Sequence, residues 1–403
     1  MKKIKNLSLL ALLLISSVSC KKSETEPEPV VTPVTTPTPI GAITLDCTYS
    51  NGLTLTNHNK NGVDYIVNCD LEVVGGKLSI DTNVIIQFGT QGSLTVKNNA
   101  YIEAIGSATK SIVFEGATNA TSSWKGIWIE SEDTRNKFNY CKIVNGGDYA
   151  GAVTIFGSSS YQDKANIHVE GKLAVTNSTI TGSGGSGMIY NSNATVQTFS
   201  NNIISNNNGY PIVVYGGSLS NLSLQTCTFT SNTKNYIGLY SVSSNQEITQ
   251  TVVINNSPIP YYTINDLNFQ NNLEIKPGVS LVMGSSNYIA ILGTGYAKLI
   301  GTMAQPIILK GEVNTAGFWD GIWVNTNNAL NEFNYVNISD GGNEAAALFG
   351  VKANISVGSA INTAQLKIGN STSTNFIDCA IAVANGSSIV NTTTITVPSP
   401  CTY

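Results

Sequence analysis

One short segment brings together three side chains that could transfer protons. In NIHVEGKLAV, alternation places His168, Glu170 and Lys172 on one face of a strand. A histidine beside a carboxylate and an ammonium group could abstract a proton next to a uronate carboxylate, or donate one to a leaving oxygen. A solvated strand face without a catalytic role is the default interpretation. The other histidine, His58, lies in the polar segment NHNKNG, and we expect it to be solvated.

Acidic residues gather in a nearby segment that could bind a cation. Glu130, Glu132 and Asp133 are followed by Arg135, and carboxylates of this kind can ligate a hard cation such as Ca²⁺. A related later segment reads NTNNAL and lacks these charges, so we expect a solvated charge cluster instead. The chain also has no C-x-x-C pair. No metal or other cofactor is predicted.

Two tryptophans could bind sugars by stacking. In GIWIE, inward-facing Ile127 and Ile129 send Trp128 outward, and Trp323 repeats the pattern in GIWVN. Aromatic faces on a flat β surface can stack against sugar rings, and two copies could hold one polymer by avidity. Alternatively, the segment 115–123 covers Trp128, and the repetition marks architecture only.

The seven cysteines divide into three groups. Cys20 belongs to the export signal described below. Cys141 and Cys227 lie in short apolar runs and are expected to be small core residues. The other four lie near the two ends of the folded region, where we expect end clamps in an oxidising compartment. The predicted disulfides are Cys47–Cys69 and Cys379–Cys401, and the alternative is four reduced, buried thiols.

The N-terminus has the pattern of an export signal. Lysines at positions 2, 3 and 5 precede an apolar run over 7–18 that is too short to span a bilayer. The segment SVSC resembles a bacterial lipobox, although Ser17 stands where leucine is usual. We therefore expect a signal peptide over 1–19 and diacylation of Cys20, with plain secretory cleavage as the alternative. Residues 20–40, rich in Pro, Thr and Glu, are expected to form a disordered tether.

The composition limits the class of partner. Charged residues make up 11% of the chain, the net charge is -4, and Arg135 is the single arginine. Nucleic acid requires clustered positive charge, so we exclude it as a partner. Hydrophobic residues make up 41% of the chain, enough for a large core.

An internal duplication is visible in the sequence. Residues 78–148 align with 273–343 without a gap, and the related halves extend over about 63–150 and 259–345. The conserved positions include the segments SWKGIW and FWDGIW, in which Trp124, Gly126, Ile127 and Trp128 match Trp319, Gly321, Ile322 and Trp323.

Apolar and polar residues alternate within each half over runs of four to six residues, which predicts short strands. Similar runs recur at a spacing of about one turn of a three-sided solenoid, with inward residues stacked along one axis. Asn83 and Gly278 occupy equivalent corners, and both tolerate positive φ. A β-sandwich is the alternative, but it would show two-residue hairpin turns.

These features resemble the right-handed parallel β-helix lipoproteins of Bacteroidetes, which have the pectin-lyase-like fold. The W-x-GI and FNY…GG segments carry the resemblance most specifically, and it covers about 63–395. It implies an all-β, three-sided β-helix over 41–403 and an outer-membrane lipoprotein. We expect it to face the cell exterior, with the periplasmic face as the alternative. The family has no single activity to transfer.

We therefore expect a non-enzymatic, lipid-anchored envelope protein that acts in adhesion or glycan binding. A polysaccharide lyase or glycoside hydrolase of the same fold, using His168, Glu170 and Lys172, is the first alternative. Lyases of the family surround the catalytic base with further cations or calcium-binding acids, which are sparse here. A structural spacer on the cell surface is the second alternative, and the oligomeric state is left open.

Overall fold

A computed structural model describes residues 41–60, 62–149, 163–242, 247–344, 350–392 and 400–402. Strands account for 49% of the described residues and helices for 2%. The expected signal peptide, the lipidation site Cys20 and the tether over 20–40 lie outside these ranges. Within them, no helix is both long and apolar enough to cross a membrane.

The described residues form thirty-seven short strands. Those before residue 150 are β1 Ile43–Thr44, β2 Thr48–Tyr49, β3 Leu53–Leu55, β4 Tyr65–Val67, β5 Asp70–Ile80, β6 Ile85–Phe88, β7 Ser93–Ile105, β8 Ile112–Gly116, β9 Gly126–Ile129, β10 Lys137–Asn139 and β11 Cys141–Val144. Those of the middle are β12 Ala165–Val169, β13 Lys172–Thr176, β14 Thr179–Thr181, β15 Ser186–Tyr190, β16 Thr195–Ser200, β17 Ile203–Ser205, β18 Ile212–Tyr215, β19 Thr228–Thr230 and β20 Ile237–Tyr240, with short 3-10 helices at Gly216–Asn221 and Leu224–Thr226.

The second half continues the same pattern of short strands. They are β21 Val252–Ile254, β22 Tyr261–Thr263, β23 Leu267–Phe269, β24 Leu273–Ile275, β25 Ser280–Met283, β26 Tyr288–Ile291, β27 Ala297–Ile300, β28 Ile307–Gly311, β29 Gly321–Val324, β30 Glu332–Asn334, β31 Val336–Ser339, β32 Ala353–Val357, β33 Gln365–Gly369, β34 Thr372–Thr374, β35 Cys379–Val383, β36 Ser388–Asn391 and β37 Cys401–Thr402.

The strands pair in parallel, and residues in register form columns that we call ladders. One sheet contains β1, β4, β6, β8, β11, β14, β17 and β19. Its inward ladder is apolar and buried, and it runs through Tyr65, Ile86, Phe114, Ile143, Ile180, Ile204 and Phe229. Because side chains alternate between the two faces of a strand, parallel register stacks each inward side chain on another. Each such burial stabilises the fold by roughly 1.5–3 kcal/mol.

The matched segments of the two halves have the same local structure. Trp124 and Trp319 are fully buried, and their indole N–H groups donate to the carbonyls of Val144 at 2.8 Å and Ser339 at 2.7 Å. The predicted left-handed corners are also confirmed. The φ angle is 68° at Asn83 and 80° at Gly278.

Equivalent strands of the two halves, such as β9 and β29, nevertheless lie in different sheets. Trp128 lies in register between Thr95 and His168, and this ladder continues through the middle of the chain to Tyr262 and then to Lys310 of β28. Trp323 belongs to a separate sheet formed by β23, β26, β29, β32, β35 and β37. The two tryptophans therefore do not share a ladder. Binding of one polymer by both of them stays a prediction.

The cysteines at the two ends differ. Cys47 and Cys69 form the predicted disulfide, with a Cα–Cα distance of 5.9 Å. Cys379 and Cys401 are free thiols, so the second predicted disulfide is not formed. The two side chains nevertheless contact each other. Cys401 is in register with Ala382, and the Cys379 thiol donates to the carbonyl of Ile381 at 3.4 Å.

Removal of the N-terminal disulfide should destabilise the fold. The bond closes a loop with a sequence separation of 22, for which loop entropy predicts about 3 kcal/mol. We expect the double variant Cys47→Ser, Cys69→Ser to lower the free energy of urea unfolding by about that amount. Cys401→Ser, which removes a free thiol, is the control and should change it little. Equal free energies of unfolding for the double variant and the native chain would show that the disulfide does not stabilise the fold.

Candidate functional site: the groove beside Trp128

Strand β9 fixes the direction of Trp128. Ile127 and Ile129 are fully buried in the core, so the intervening Trp128 side chain lies on the opposite face. Gly126 opens the strand at φ 124°, and a Cβ there would lie 2.7 Å from the carbonyl oxygen of Ala165. Only glycine fits this position, which lets β9 and β12 approach closely and brings Trp128 against His168.

His168 is a stacking partner of Trp128. The two rings lie 5.0 Å apart at 8°, and His168 is 1% exposed. Burial disfavours the imidazolium and lowers the pKa of His168 to about 4, although a hydrogen bond with the Tyr149 backbone opposes this. The Nε2 atom is buried without a hydrogen-bond partner. A neutral ring with no access to solvent is a poor general base.

The expected row of His168, Glu170 and Lys172 is not formed. Strand β12 ends at Val169 and β13 begins at Lys172, because the N–H groups of Glu170 and Gly171 both donate to the carbonyl of Ile129 at 2.9 Å. This bend turns the chain between the two strands. Lys172 Nζ instead lies 3.5 Å from a Glu132 carboxylate oxygen. Alternation predicts one continuous strand, and that prediction is wrong.

A groove of about 460 Å³ lies on the outer side of β9. Its lining residues are Asp70, Glu72, Ser93, Thr95, Lys125, Trp128, Glu130, Tyr149 and Glu170. Tyr149 is 59% exposed and meets Trp128 edge to face, with ring centroids 6.2 Å apart. Trp128 itself is only 8% exposed. The aromatic surface available to a ligand therefore belongs to Tyr149, with Trp128 behind it.

Charged groups line the groove on both sides. Lys125 Nζ contacts both oxygens of Asp70 at 2.8 and 3.0 Å, and Ser93 donates to Asp70 at 2.7 Å. Burial acts against ionisation of Asp70, but these hydrogen bonds outweigh it and lower the pKa. The pKa of Glu170 is raised, first by burial and then by the negative charge of Glu130. The lining thus has four carboxyl groups and one ammonium group, and Lys97, which lies outside the lining, forms a second ion pair with Glu72 at 2.6 Å.

The acidic residues that were expected to form one cluster have different surroundings in the structure. Glu130 lines the groove, whereas Asp133 binds Arg135 through both carboxylate oxygens at 2.8 and 2.5 Å. The Arg135 guanidinium also lies 3.6 Å from the centre of the Tyr101 ring. Among the described residues, no three His, Cys, Asp or Glu side chains are grouped to hold a metal ion.

Trp323 has a different environment from Trp128. Its ladder neighbours are Ala290 and Ser356, where Trp128 has Thr95 and the His168 ring. The indole N–H of Trp323 donates to the carbonyl of Gly358 at 2.9 Å, and the residue is partly exposed.

Sequence reasoning missed Tyr149. It follows a Gly-Gly turn in the segment GGDYAG and belongs to no alternating run, so no periodicity marks it. Asp70 and Glu72 were missed because only the register of β5 with β7 brings them beside Trp128.

The burial of His168 should make the fold acid-sensitive. A folded pKa of about 4, below the ordinary 6.5, means that its contribution to stability is complete above pH 6.5 and is lost as the pH falls towards 4. The shift corresponds to about 3 kcal/mol at most. His168→Phe keeps a stacking ring without a titrating nitrogen. Urea unfolding at pH 7 and pH 4 should show a smaller loss for this variant. Equal losses would show that His168 is accessible and charged.

A scan against protein-family models finds no match to this chain, and searches of curated proteins and of solved structures find none either. The assignment of a function therefore depends on the geometry of the groove.

Proposed function

We propose that this chain is a right-handed, three-sided parallel β-helix that is anchored to the outer membrane through lipidated Cys20. We further propose that it binds glycans without cleaving them. The parallel ladders and their buried inward residues support the β-helix. The export signal and the SVSC segment support the anchor. The Pro-rich tether would hold the folded body away from the membrane and facing the cell exterior.

The observation that carries the binding proposal is the position of Tyr149 over the groove. An exposed aromatic ring offers a face for a pyranose ring, and Trp128 supports it from behind. Carboxylates of Glu72 and Glu130 can accept hydrogen bonds from sugar hydroxyl groups, and Ser93 and Thr95 add hydroxyls. An aromatic platform with a few placed polar groups is the usual composition of a small-ligand site.

The charge of the groove favours uncharged or amino sugars. Lys125 and Lys97 offset the charges of Asp70 and Glu72, and the remaining carboxyl groups of Glu130 and Glu170 would repel a polymer of uronates. This argues against the polysaccharide lyase alternative, whose substrates are uronates, as does the burial of His168.

A glycoside hydrolase is the second candidate, and one observation favours it. Glu170 and Glu130 both line the groove, and the pKa of Glu170 is raised. Glycoside hydrolysis uses two carboxyl groups, of which the general acid is the one whose pKa is raised. In this case Glu170 would protonate the glycosidic oxygen while Glu130 activates water.

The binding proposal predicts the effect of removing the exposed ring. Tyr149→Ala should weaken retention on an immobilised glucosamine polymer by about tenfold without lowering the melting temperature, because the ring is mostly solvent-exposed. Tyr296→Ala is a matched control, since Lys298 lies over that ring as Lys125 lies over Tyr149. The proposal fails if both variants are retained as well as the native chain.

The hydrolase candidate makes a separate prediction. If it is correct, the native chain releases reducing ends from a neutral or amino-sugar polymer, and Glu170→Gln stops the release while binding persists. Absence of reducing ends from the native chain excludes hydrolysis of those polymers. A chain that neither binds nor cleaves glycans would be the structural spacer.

A further inference from the structure

A second groove lies in the other half of the chain, away from the Trp128 groove. It has a volume of about 610 Å³. Its lining residues are Gln270, Leu292, Gly293, Asn325, Thr326, Asn327, Ile361, Asn362 and Thr363. Amide and hydroxyl groups supply its polar surface, and no lining residue is charged. We call it the amide groove.

The duplication relates the amide groove to the charged surface around Trp128. At an offset of 195 residues, Lys97, Glu130 and Glu132 correspond to Leu292, Asn325 and Asn327. Strand register extends this correspondence to two further positions. Glu72 is in register with Thr95, and Asn268 is in register with Ala290, the equivalent of Thr95, so Glu72 corresponds to Asn268. The N–H group of Glu170 donates to the carbonyl of Ile129, and that of Gly358 donates to the equivalent carbonyl of Val324. Glu170 therefore corresponds to Gly358. These five positions are charged in the first half and uncharged in the second, where three of them are asparagines. Lys125 of the Trp128 groove instead corresponds to the charged Asp320, which does not line the amide groove.

The amide groove is held in shape by its own backbone. Thr326 is buried, and its hydroxyl group donates to the carbonyl of Gly295 at 3.0 Å. The side chain of Asn331 donates to the carbonyl of Thr326 at 2.9 Å, and Gln365 donates to the carbonyl of Asn327 at 2.9 Å. These bonds fix the segment before any ligand arrives, which reduces the entropy cost of binding.

Asn325 has an unused acceptor within this groove. Its Oδ1 atom is buried and receives no hydrogen bond. A buried amide oxygen without a donor is unfavourable, and such groups in native structures call for an explanation. Asn325 follows Val324, the last residue of β29, and lies two residues after Trp323, which does not line the groove. A hydroxyl donor bound in the groove would satisfy this amide oxygen once the Asn325 side chain turns towards it.

We propose that the amide groove is a second glycan site that takes uncharged sugars, and that the Asn325 side chain turns on binding so that its Oδ1 atom accepts a hydrogen bond from a ligand hydroxyl group. The choice of glycans as the ligand class rests on the proposed function. The site itself is separate, because Trp323 and Trp128 lie in different sheets. The duplication has thus given one protein an acidic groove and a neutral groove, each with its own ligand.

Calorimetric titration of the full chain with hexasaccharides of glucose, mannose, galactose and xylose tests this proposal. At least one of them should bind, and Asn325→Ala should weaken that binding by about tenfold, the value of one lost buried hydrogen bond. Because Oδ1 makes no hydrogen bond in the structure, this variant should keep its melting temperature. Asn208→Ala, at an exposed asparagine elsewhere, is the matched control and should bind normally.

The same titration with Tyr149→Ala separates the two grooves. Binding of the uncharged sugar should survive this change. If Tyr149→Ala abolishes that binding and Asn325→Ala does not, the amide groove is not the site, while the Trp128 groove stands. If the native chain binds none of the four sugars but is retained on the glucosamine polymer, only the proposal of a second site is overturned. If it binds neither, both proposals fail.

Discussion

In-register stacking between parallel strands is the constraint on which the rest of this structure depends. Each strand supplies only three to five residues in most cases, far too few to be stable alone. Register places Ile143 on Phe114 and Ile180 on Ile143, so that one continuous core passes through many short strands. A slip of one residue would turn every inward side chain of a strand towards water.

The same constraint shapes the outer surface. An outward residue also lies above and below its register partners, so its exposure depends on them and not on its direction alone. His168 covers one face of the Trp128 ring, whereas Ser356 leaves Trp323 more open. A duplicated sequence therefore gave two tryptophans with equal local geometry and different environments. The surrounding charges diverged as well, from Glu130 to Asn325 at the equivalent position.

Local features of the fold could be predicted from the sequence because they follow from short-range pattern. Alternation identified Ile127 and Ile129 as core residues, and the residue types at Asn83 and Gly278 identified left-handed corners. The Cys47–Cys69 disulfide followed from the position of the two residues at one end of the chain.

Features that depend on which strands become neighbours could not be predicted in this way. The bend at Glu170 is set by the Ile129 carbonyl of the strand next to it, which alternation within one segment cannot reveal. The same limit applies to the stacking of His168 on Trp128. Tyr149 lies in a turn, where residue type alone does not indicate which groove it will border.

Cross-linking of register partners tests the central claim of stacked parallel strands most directly. Thr179 and Ile203 are in register in β14 and β17, on the outward side, and Ser205 lies two residues further along. Cysteines at Thr179→Cys and Ile203→Cys should oxidise to a disulfide, because parallel neighbours are about 4.8 Å apart. Thr179→Cys with Ser205→Cys should not, since an offset of two residues exceeds the roughly 7 Å limit for a disulfide. Mass spectrometry of the linked peptides gives the answer. Equal oxidation of both pairs, or of neither, would contradict the stacked register.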